Sequence, residues 1–259
     1  HYWAAQTLVI VAVLHMLRVI FTGAYKAPRK TNYVIGILLL AFIVLFNFTG
    51  YVLRWDEGTN WALTVGTSLL KEIPVIGNAV YQIIVGGSDI GSATTIRFYA
   101  WHVIGLTLIV VILIAWHAFK VRRDGGISHR SREPRIDRAR LVTMETKAMI
   151  VVTALLILIS IVLPAPIGPV ADLPTRSGSV QAPWFFLWIQ FLLRSLPAVW
   201  AGVLIPIGIL AILILIPYLI DRKLDGVGEW FNRSGRIAQV ISILIIAGIL
   251  LLSIIELGA

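Results

Sequence analysis

Four histidines fall into two pairs, and each pair lies on a long apolar segment. His102 and His117 are fifteen residues apart, and the residues between them carry no charge and one polar side chain, Thr107. In an α-helix this spacing is about 22 Å along the axis and about 60° around it. His1 and His15 are fourteen residues apart, which is about 40° out of register in the other direction. Each pair therefore places one imidazole near each end of an apolar helix.

Paired by depth, these imidazoles match the ligands of two haems, with a histidine on each side of each iron. His1 would face His102 near one membrane surface, and His15 would face His117 near the other. A single intramembrane histidine is better explained by a hydrogen bond between helices, but two matched pairs favour ligation. An alternative from another functional class is a transporter that relays protons through these histidines. The fifth histidine, His129, lies among loop arginines, which indicates a solvated side chain.

The composition is that of a polytopic membrane protein. Of the 259 residues, 58% are hydrophobic and 14% are charged, and apolar runs of about 20 residues span a bilayer core of about 30 Å. The sequence contains no cysteine, which excludes a disulfide framework, a thiolate-held iron–sulfur cluster and thioether-attached haem within these residues. The net charge of +9 is concentrated in loops on one side, which indicates membrane orientation and not nucleic-acid binding.

Six transmembrane helices are predicted, at about residues 2–21, 32–53, 97–123, 148–163, 199–220 and 237–255. Between the second and third, residues 59–88 form two short amphipathic segments, broken at Pro74 and Gly77, that we place on the membrane surface. A further surface helix is predicted in APWFFLWIQFLLRSLP. The loops after the first, third and fifth helices hold sixteen of the 22 Lys and Arg residues. These loops are therefore expected on the negative side of the membrane, and the first histidine of each pair lies near the positive side.

Several motifs follow one another along nearly the whole chain. They are the histidine pairs, GAYKAPR after the first helix, TGYVL at the end of the second, KEIPVIG and IRFYAWH before the third, and PWFF with LLRSLP before the fifth. In these motifs the sequence resembles cytochrome b of the quinol-oxidising complexes that contain a Rieske protein, the cytochrome bc and bf group. The histidine spacing in the third helix and the segment HAFKVRRDGGIS resemble the bf and Gram-positive branch, here with a three-helix C-terminal part in the same chain.

The resemblance implies an all-α, polytopic membrane helix bundle with a dihaem core like a four-helix bundle. Residues 1–140 would form the haem-bearing part, without the family's first helix, and residues 141–259 the three-helix C-terminal part. We also expect chain upstream of residue 1, because a candidate ligand there has no capping sequence before it.

The resemblance also implies roles by position for the cofactor ligands. His1 and His102 would hold the low-potential haem b near the positive side, and His15 and His117 the high-potential haem b near the negative side. Arg97 corresponds to the arginine that pairs with a propionate of the first haem.

The two quinone sites are implied in outline. Arg122 corresponds to a basic residue near the negative-side quinone pocket. At the positive-side quinol site the family reads Pro-Glu-Trp-Tyr, and the matching residues here are Ala182, Pro183, Trp184 and Phe185. The glutamate that would accept a quinol proton and the tyrosine hydroxyl are therefore missing. Asp56 and Glu57, after the second helix, are the candidate substitute acceptors, and Arg54 replaces a family proline.

The predicted function is electron transfer across the membrane by a subunit of a quinol–cytochrome c or plastocyanin reductase. Quinol would be oxidised near Trp184, with one electron passing to a Rieske protein and then to a c-type cytochrome or its equivalent. The other electron would reach a quinone near Arg122 through two bis-histidine haems, which have no open iron position. The second hypothesis, which the missing glutamate supports, is a dihaem membrane anchor between quinone and a dehydrogenase. The expected setting is a homodimeric complex in the lipid of an energy-transducing membrane, that of a bacterial or archaeal cell, without nucleic acid.

Overall fold

The computed structural model describes residues 1–125, 136–170 and 181–259. His129 lies outside these ranges. The ten α-helices in them are α1 (Tyr2–Phe21), α2 (Lys30–Val52), α3 (Glu57–Lys71), α4 (Gly77–Val85), α5 (Ser92–Ala100), α6 (Leu106–Asp124), α7 (Arg138–Val162), α8 (Leu187–Ser195), α9 (Ile205–Leu215) and α10 (Arg236–Leu257). The described ranges contain one isolated β-bridge, between Asp56 and Val170, and no strand. The predicted all-α class is confirmed.

Six helical stretches in the described ranges are long and apolar enough to cross a membrane. Three of them are α1, α2 and α10. The third in chain order is α5 joined to α6 through a π-helical turn at Trp101–Gly105, and the fifth is α9 with π-helical turns at Trp200–Leu204 and Ile216–Ile220. The fourth is α7. The prediction of six spans is confirmed.

The helix α7 begins earlier than the sequence analysis placed it. We expected a start near Ala148, but the helix begins at Arg138. The carboxylate of Asp137 accepts a hydrogen bond from the N–H of Ala139, which caps the first turn, and no Gly or Pro interrupts the following residues. Basic residues that we assigned to a loop therefore lie on the helix. The boundary between residues 140 and 141 falls in its first turn and stays a prediction.

The short helices α3, α4 and α8 occur where surface helices were predicted. The N-cap of α3 is Asp56, whose carboxylate accepts from the N–H of Thr59 while the Thr59 hydroxyl accepts from the Asp56 N–H. A chain reversal that contains Pro74 separates α3 from α4. The helix α8 follows a 3-10 turn at Trp184–Phe186.

The histidine-bearing helices α1 and α6 both pack near α2, and the C-terminal helices cover the other side. The helix α2 contacts α1, α6 and α9, while α10 contacts α1 and α8. Near the negative-side end, named for its predicted orientation, one apolar cluster joins α1, α2, α9 and α10. Its buried members are Met16, Ile20, Tyr25, Tyr33, Ile37, Leu213, Ile216 and Ala238.

A buried polar cluster at the same end joins the turn after α1 to the segment before α10. Lys26 is 1% exposed, and its Nζ lies 3.0 Å from Oδ2 of Asp221. The same ammonium donates to Oγ of Ser234 and to the carbonyl of Asp225. The Tyr25 hydroxyl donates to Asp221 at 2.5 Å. Burial of the side chain raises the pKa of Tyr25, and the hydrogen bond to Asp221 raises it further. The Tyr-Lys pair of GAYKAPR therefore binds the haem-bearing part to the C-terminal part.

Removing the carboxylate of this cluster should destabilise the whole bundle. In Asp221→Ala the Lys26 ammonium stays buried without a counter-ion, and breaking a buried pair in this way costs about 3–5 kcal/mol. We expect a lower thermal unfolding midpoint for the purified protein in detergent. The matched control is Asp225→Asn, which changes the same charge in the same segment but on an exposed side chain that leaves the carbonyl contact intact. Equal midpoints for the two variants would contradict the assignment.

Candidate functional site

The structure brings the four histidines together as two facing pairs at two depths. The ring centroids of His1 and His102 are 6.2 Å apart at an interplanar angle of 82°. Those of His15 and His117 are 6.5 Å apart at 83°. An ion bound by two imidazoles, with metal–nitrogen bonds of about 2.0 Å and about 1.1 Å from each nitrogen to its ring centre, separates the centroids by about 6 Å. Both pairs therefore have the separation of two axial ligands of one metal ion.

A π-helical turn allows helices with different histidine spacings to pair at both depths. His102 lies in the turn Trp101–Gly105, and a π turn takes up one more residue than an α turn because its hydrogen bonds run from i to i+5. Our 60° estimate assumed a regular α-helix and needs correction. With one residue absorbed, the fifteen-residue spacing turns through the same angle as fourteen α-helical residues, about 40° short of four turns. This is the spacing of His1 and His15.

Two glycines of α2 allow the close approach of the second histidine-bearing helix. A Cβ on Gly50 would lie 2.7 Å from Cε1 of His102, and a Cβ on Gly36 would lie 3.4 Å from Cε1 of His117. The glycines are fourteen residues apart, so α2 repeats with the same spacing as α1. The ring of Phe46 stacks on His102 with centroids 4.4 Å apart.

The chemistry of these pairs fits haem. The described residues contain no group of three or more His, Cys, Asp or Glu side chains that could hold a metal ion by themselves. Two axial imidazoles suit an iron whose other four ligands come from a macrocycle. Beside His15 and His117 there is a cavity of about 160 Å³, whose wall includes Tyr33 and Gly36. The residues present therefore fit a bis-histidine haem at each pair.

A second, larger cavity lies at the positive-side end. It has a volume of about 540 Å³ and is enclosed by α2, α3, the Trp101–Gly105 turn, α8 and the start of α9. Its wall is apolar apart from a few hydroxyl, amide and indole groups and contains no titratable side chain among the described residues; those groups belong to Thr49, Trp61, Thr67, Trp101 and Gln190. This volume is in the range of pockets that bind organic cofactors, about 300–1,000 Å³.

The PWFF segment reaches this cavity through residues other than the predicted catalytic pair, Trp184 and Phe185. Pro183 and Phe186 line the wall. Trp184 instead donates from Nε1 to Oε1 of Gln6 on α1 at 2.6 Å, and Phe185 packs between Trp184 and Phe186. The catalytic roles of Trp184 and Phe185 stay predictions.

Two glycines in the cavity wall, Gly66 and Gly202, allow close packing there, and glycine is the only feature of the sequence that indicates this packing. A Cβ on Gly66 would lie 2.5 Å from the ring of Phe48, and a Cβ on Gly202 would lie 2.5 Å from the side chain of Leu69. Both glycines line the cavity. As single glycines in apolar helices they carry no assignment by themselves.

Asp56 forms part of the fold beside this cavity. It is 1% exposed, and its carboxylate accepts hydrogen bonds from the Arg54 guanidinium and from the N–H groups of Thr59 and Gly168. Burial raises the pKa of Asp56, but these donors outweigh the burial and hold the pKa below its usual value. The carboxylate is therefore a paired anion.

Glu57, the next residue, is half-buried, and its N–H donates to the carbonyl of Pro169. Neither the Asp56 nor the Glu57 carboxylate lines the cavity.

The two predicted arginines are each five residues along the sequence from a histidine of the third span. Arg97 precedes His102 by five residues, and Arg122 follows His117 by five. Both side chains are exposed, and Nη1 of Arg97 donates to the carbonyl of Ile83 at 2.5 Å, which ties α5 to α4.

Known proteins resemble the chain in both sequence and fold. The family model described as Cytochrome b(N-terminal)/b6/petB matches residues 6–174. The chain is 38% identical over 125 residues to cytochrome b6 of Bigelowiella natans, of Cyanidium caldarium and of Synechococcus sp. (strain JA-3-3Ab). Each match covers 48% of this chain and 58% of the relative, so the chain spans somewhat over half the length of these relatives.

The fold likeness extends over the whole chain. A chain of the solved structure named Hyperthermophilic respiratory Complex III superposes with a TM-score of 0.75 at 20% identity, covering 100% of this chain and 79% of that chain. This match concerns the fold alone, and the family model covers well over half of the residues. With its paired histidines on apolar helices, the chain belongs to the cytochrome b(N-terminal)/b6 family, which implies haem b.

Proposed function

We propose that the chain is the cytochrome b subunit of a Rieske/cytochrome bc-type quinol:acceptor oxidoreductase. The observation that carries the proposal is the two facing histidine pairs, about 21 Å apart along the bundle axis. Two b haems, one held by each pair, would supply one-electron carriers across the membrane. The complex would oxidise quinol at the positive side and reduce quinone at the negative side.

The chain's own residues would bind and orient these groups. In each pair one imidazole comes from the first span and one from the third, with His1 at the N-cap of α1 and His102 in the π-helical turn before α6. The helix α2 keeps the space open with Gly36 and Gly50. Arg97 would pair with a propionate of the positive-side haem. Arg122 would bind the headgroup of the quinone at the negative side.

The 540 Å³ cavity is the proposed quinol site. Its apolar wall would exclude water and hold the quinol ring, and Thr49 and Gln190 offer polar contacts. Quinol oxidation releases two protons, and acceptors must lie within hydrogen-bond reach or be connected through water. Because the described residues of the wall include no titratable side chain, the protons would leave through neighbouring groups. Asp56 is already paired by three donors, which favours Glu57 as the group on this chain.

The proposed partners follow from this division of electrons. A Rieske iron–sulfur protein would take one electron near the cavity and pass it to a c-type cytochrome or its equivalent. The assembly would be a homodimeric complex in an energy-transducing membrane, that of a bacterial or archaeal cell.

The absence of titratable groups from the described cavity wall also favours a second candidate function, a dihaem anchor that passes electrons between quinone and a dehydrogenase. A quinol:acceptor assay on the purified complex, combined with a pyridine haemochrome assay, separates the two functions.

Replacing one axial ligand should remove one haem. In His117→Ala the negative-side pair has a single imidazole, whereas the other pair is about 21 Å away and is unaffected. We expect the ratio of haem b to protein to fall from two to one, with loss of the negative-side redox transition. A variant with two haems and unchanged spectra would refute the ligand assignment.

The glycines of α2 provide a graded test of the same geometry. An alanine methyl at position 50 would lie 2.7 Å from the His102 ring and must displace it, while one at position 36 would lie 3.4 Å from the His117 ring. Gly50→Ala should therefore lower the occupancy of the positive-side haem strongly, and Gly36→Ala should lower that of the negative-side haem weakly. Redox-resolved spectra of the α-band distinguish the two sites. The reverse order of effects would contradict the geometry.

The proton acceptor of the quinol site can be tested with two adjacent carboxylates. We expect Glu57→Gln to slow quinol oxidation at the positive side across pH 5–9 with both haems bound.

Because the pKa of Asp56 is lowered, its stabilising charge is present above the unfolded pKa and is lost as the pH falls through the folded pKa. Asp56→Asn should therefore lower the thermal midpoint at neutral pH and have little effect on it in acid. If both variants oxidise quinol at the parent rate, the proton leaves through water or a partner subunit.

A further inference from the structure

We propose that Thr49 is a positioning residue that fixes the tautomer of His102 and lowers the reduction potential of the positive-side haem. The proposal deepens the proposed function, because it depends on ligation of that haem by His1 and His102. It assigns a second role to the threonine of the TGYVL motif, beside its place in the wall of the quinol cavity.

The hydrogen bonds around Thr49 determine which nitrogen of His102 carries the proton. Thr49 is 8% exposed, and its Oγ1 lies 3.0 Å from Nδ1 of His102 and 3.0 Å from the carbonyl oxygen of Phe46. A hydroxyl has one proton to donate, and the carbonyl can only accept it. With its proton on that carbonyl, the Thr49 oxygen accepts from Nδ1–H of His102, whose ring also interacts with the backbone of Phe46. The proton on Nδ1 leaves the lone pair of Nε2 free, which is the form of histidine that binds iron.

The same hydrogen bond affects the electronic properties of the ligand. An imidazole that donates its second N–H to an acceptor is held in one orientation and becomes a more basic ligand. A more basic axial ligand stabilises ferric over ferrous iron and so lowers the reduction potential, because second-shell hydrogen bonding is one of the levers that set this potential.

The negative-side pair lacks this hydroxyl. The fourteen-residue repeat that places Gly50 on His102 and Gly36 on His117 also relates Thr49 to Ile35. Isoleucine has no hydroxyl, and Nδ1 of His117 has no side-chain partner among the described residues; the ring interacts with the backbone of Asn32. The two sites therefore differ in this hydroxyl contact, and the hydroxyl lowers the potential of the positive-side haem. Electron transfer from the positive-side haem to the negative-side haem is then energetically downhill.

The wall of the 540 Å³ cavity offers a matched control. Thr49 and Thr67 both line it and both are buried. The Thr67 hydroxyl, however, donates to the carbonyl of Leu63 at 2.7 Å in its own helix. Substituting valine at either position exchanges a hydroxyl for a methyl group in the same cavity, but only Thr49 is bonded to a haem ligand.

The test is a redox titration of the purified complex with its haem b content, for Thr49→Val, Thr49→Ser and Thr67→Val, together with low-temperature EPR of the ferric haems. We expect Thr49→Val to shift the midpoint potential of the positive-side haem upward and to move its low-spin EPR signal. The negative-side haem should stay at its parent potential. Thr49→Ser keeps the hydroxyl and should restore both parent values, and Thr67→Val should leave both haems unchanged. Loss of the positive-side haem from Thr49→Val, with retention in the other two variants, would also support the proposal.

The proposal is wrong if Thr49→Val keeps the parent potential and EPR signal, or if Thr49→Ser or Thr67→Val shifts them as much as Thr49→Val does. Failure of the underlying ligation gives a different result. In that case the parent complex itself contains fewer than two b haems, or His102→Ala retains both.

Discussion

A haem at each histidine pair would need two facing imidazoles, and the relative register of three helices provides them at both depths. The histidines of α1 and the glycines of α2 repeat after fourteen residues, so both helices present the same element at two depths. The histidines of α6 are one residue further apart, and the π-helical turn that contains His102 absorbs the difference. An irregular helix is thus what permits both centroid separations, 6.2 and 6.5 Å.

Lipid gives little hydrophobic driving force for association between helices, because hydrocarbon tails are as apolar as the side chains. Buried polar contacts at both ends of the bundle therefore carry much of the specificity of packing. At the negative-side end Lys26 and Asp221 join the two parts of the chain. At the positive-side end the Asp56 carboxylate joins the start of α3 to Gly168 in the loop after α7. These contacts join the C-terminal part to the haem-bearing part at both ends of the bundle.

The sequence predicted six spans, two histidine pairs and three short surface helices, because apolar length, ligand spacing and amphipathic periodicity are local properties. It did not predict the π-helical turn, because the same residues can form α or π hydrogen bonds, and the packing of neighbouring helices decides between them. Nor did it predict that Trp184 turns towards Gln6 while Phe186 lines the cavity. The start of α7 was misplaced by ten residues, because basic residues that mark membrane orientation are also good helix formers.

Two departures from the family pattern lie at the same end of the bundle, and the structure connects them. Arg54 occupies a family proline position and pairs with Asp56, which also caps α3 and binds the Gly168 N–H. The arginine thus neutralises a carboxylate that would otherwise be buried without a counter-ion, at the cost of its use as a base. With the glutamate of the other motif also absent, the cavity wall has no proton acceptor on the described part of the chain. If quinol is oxidised in this cavity, as we propose, its protons would leave through groups outside the described wall.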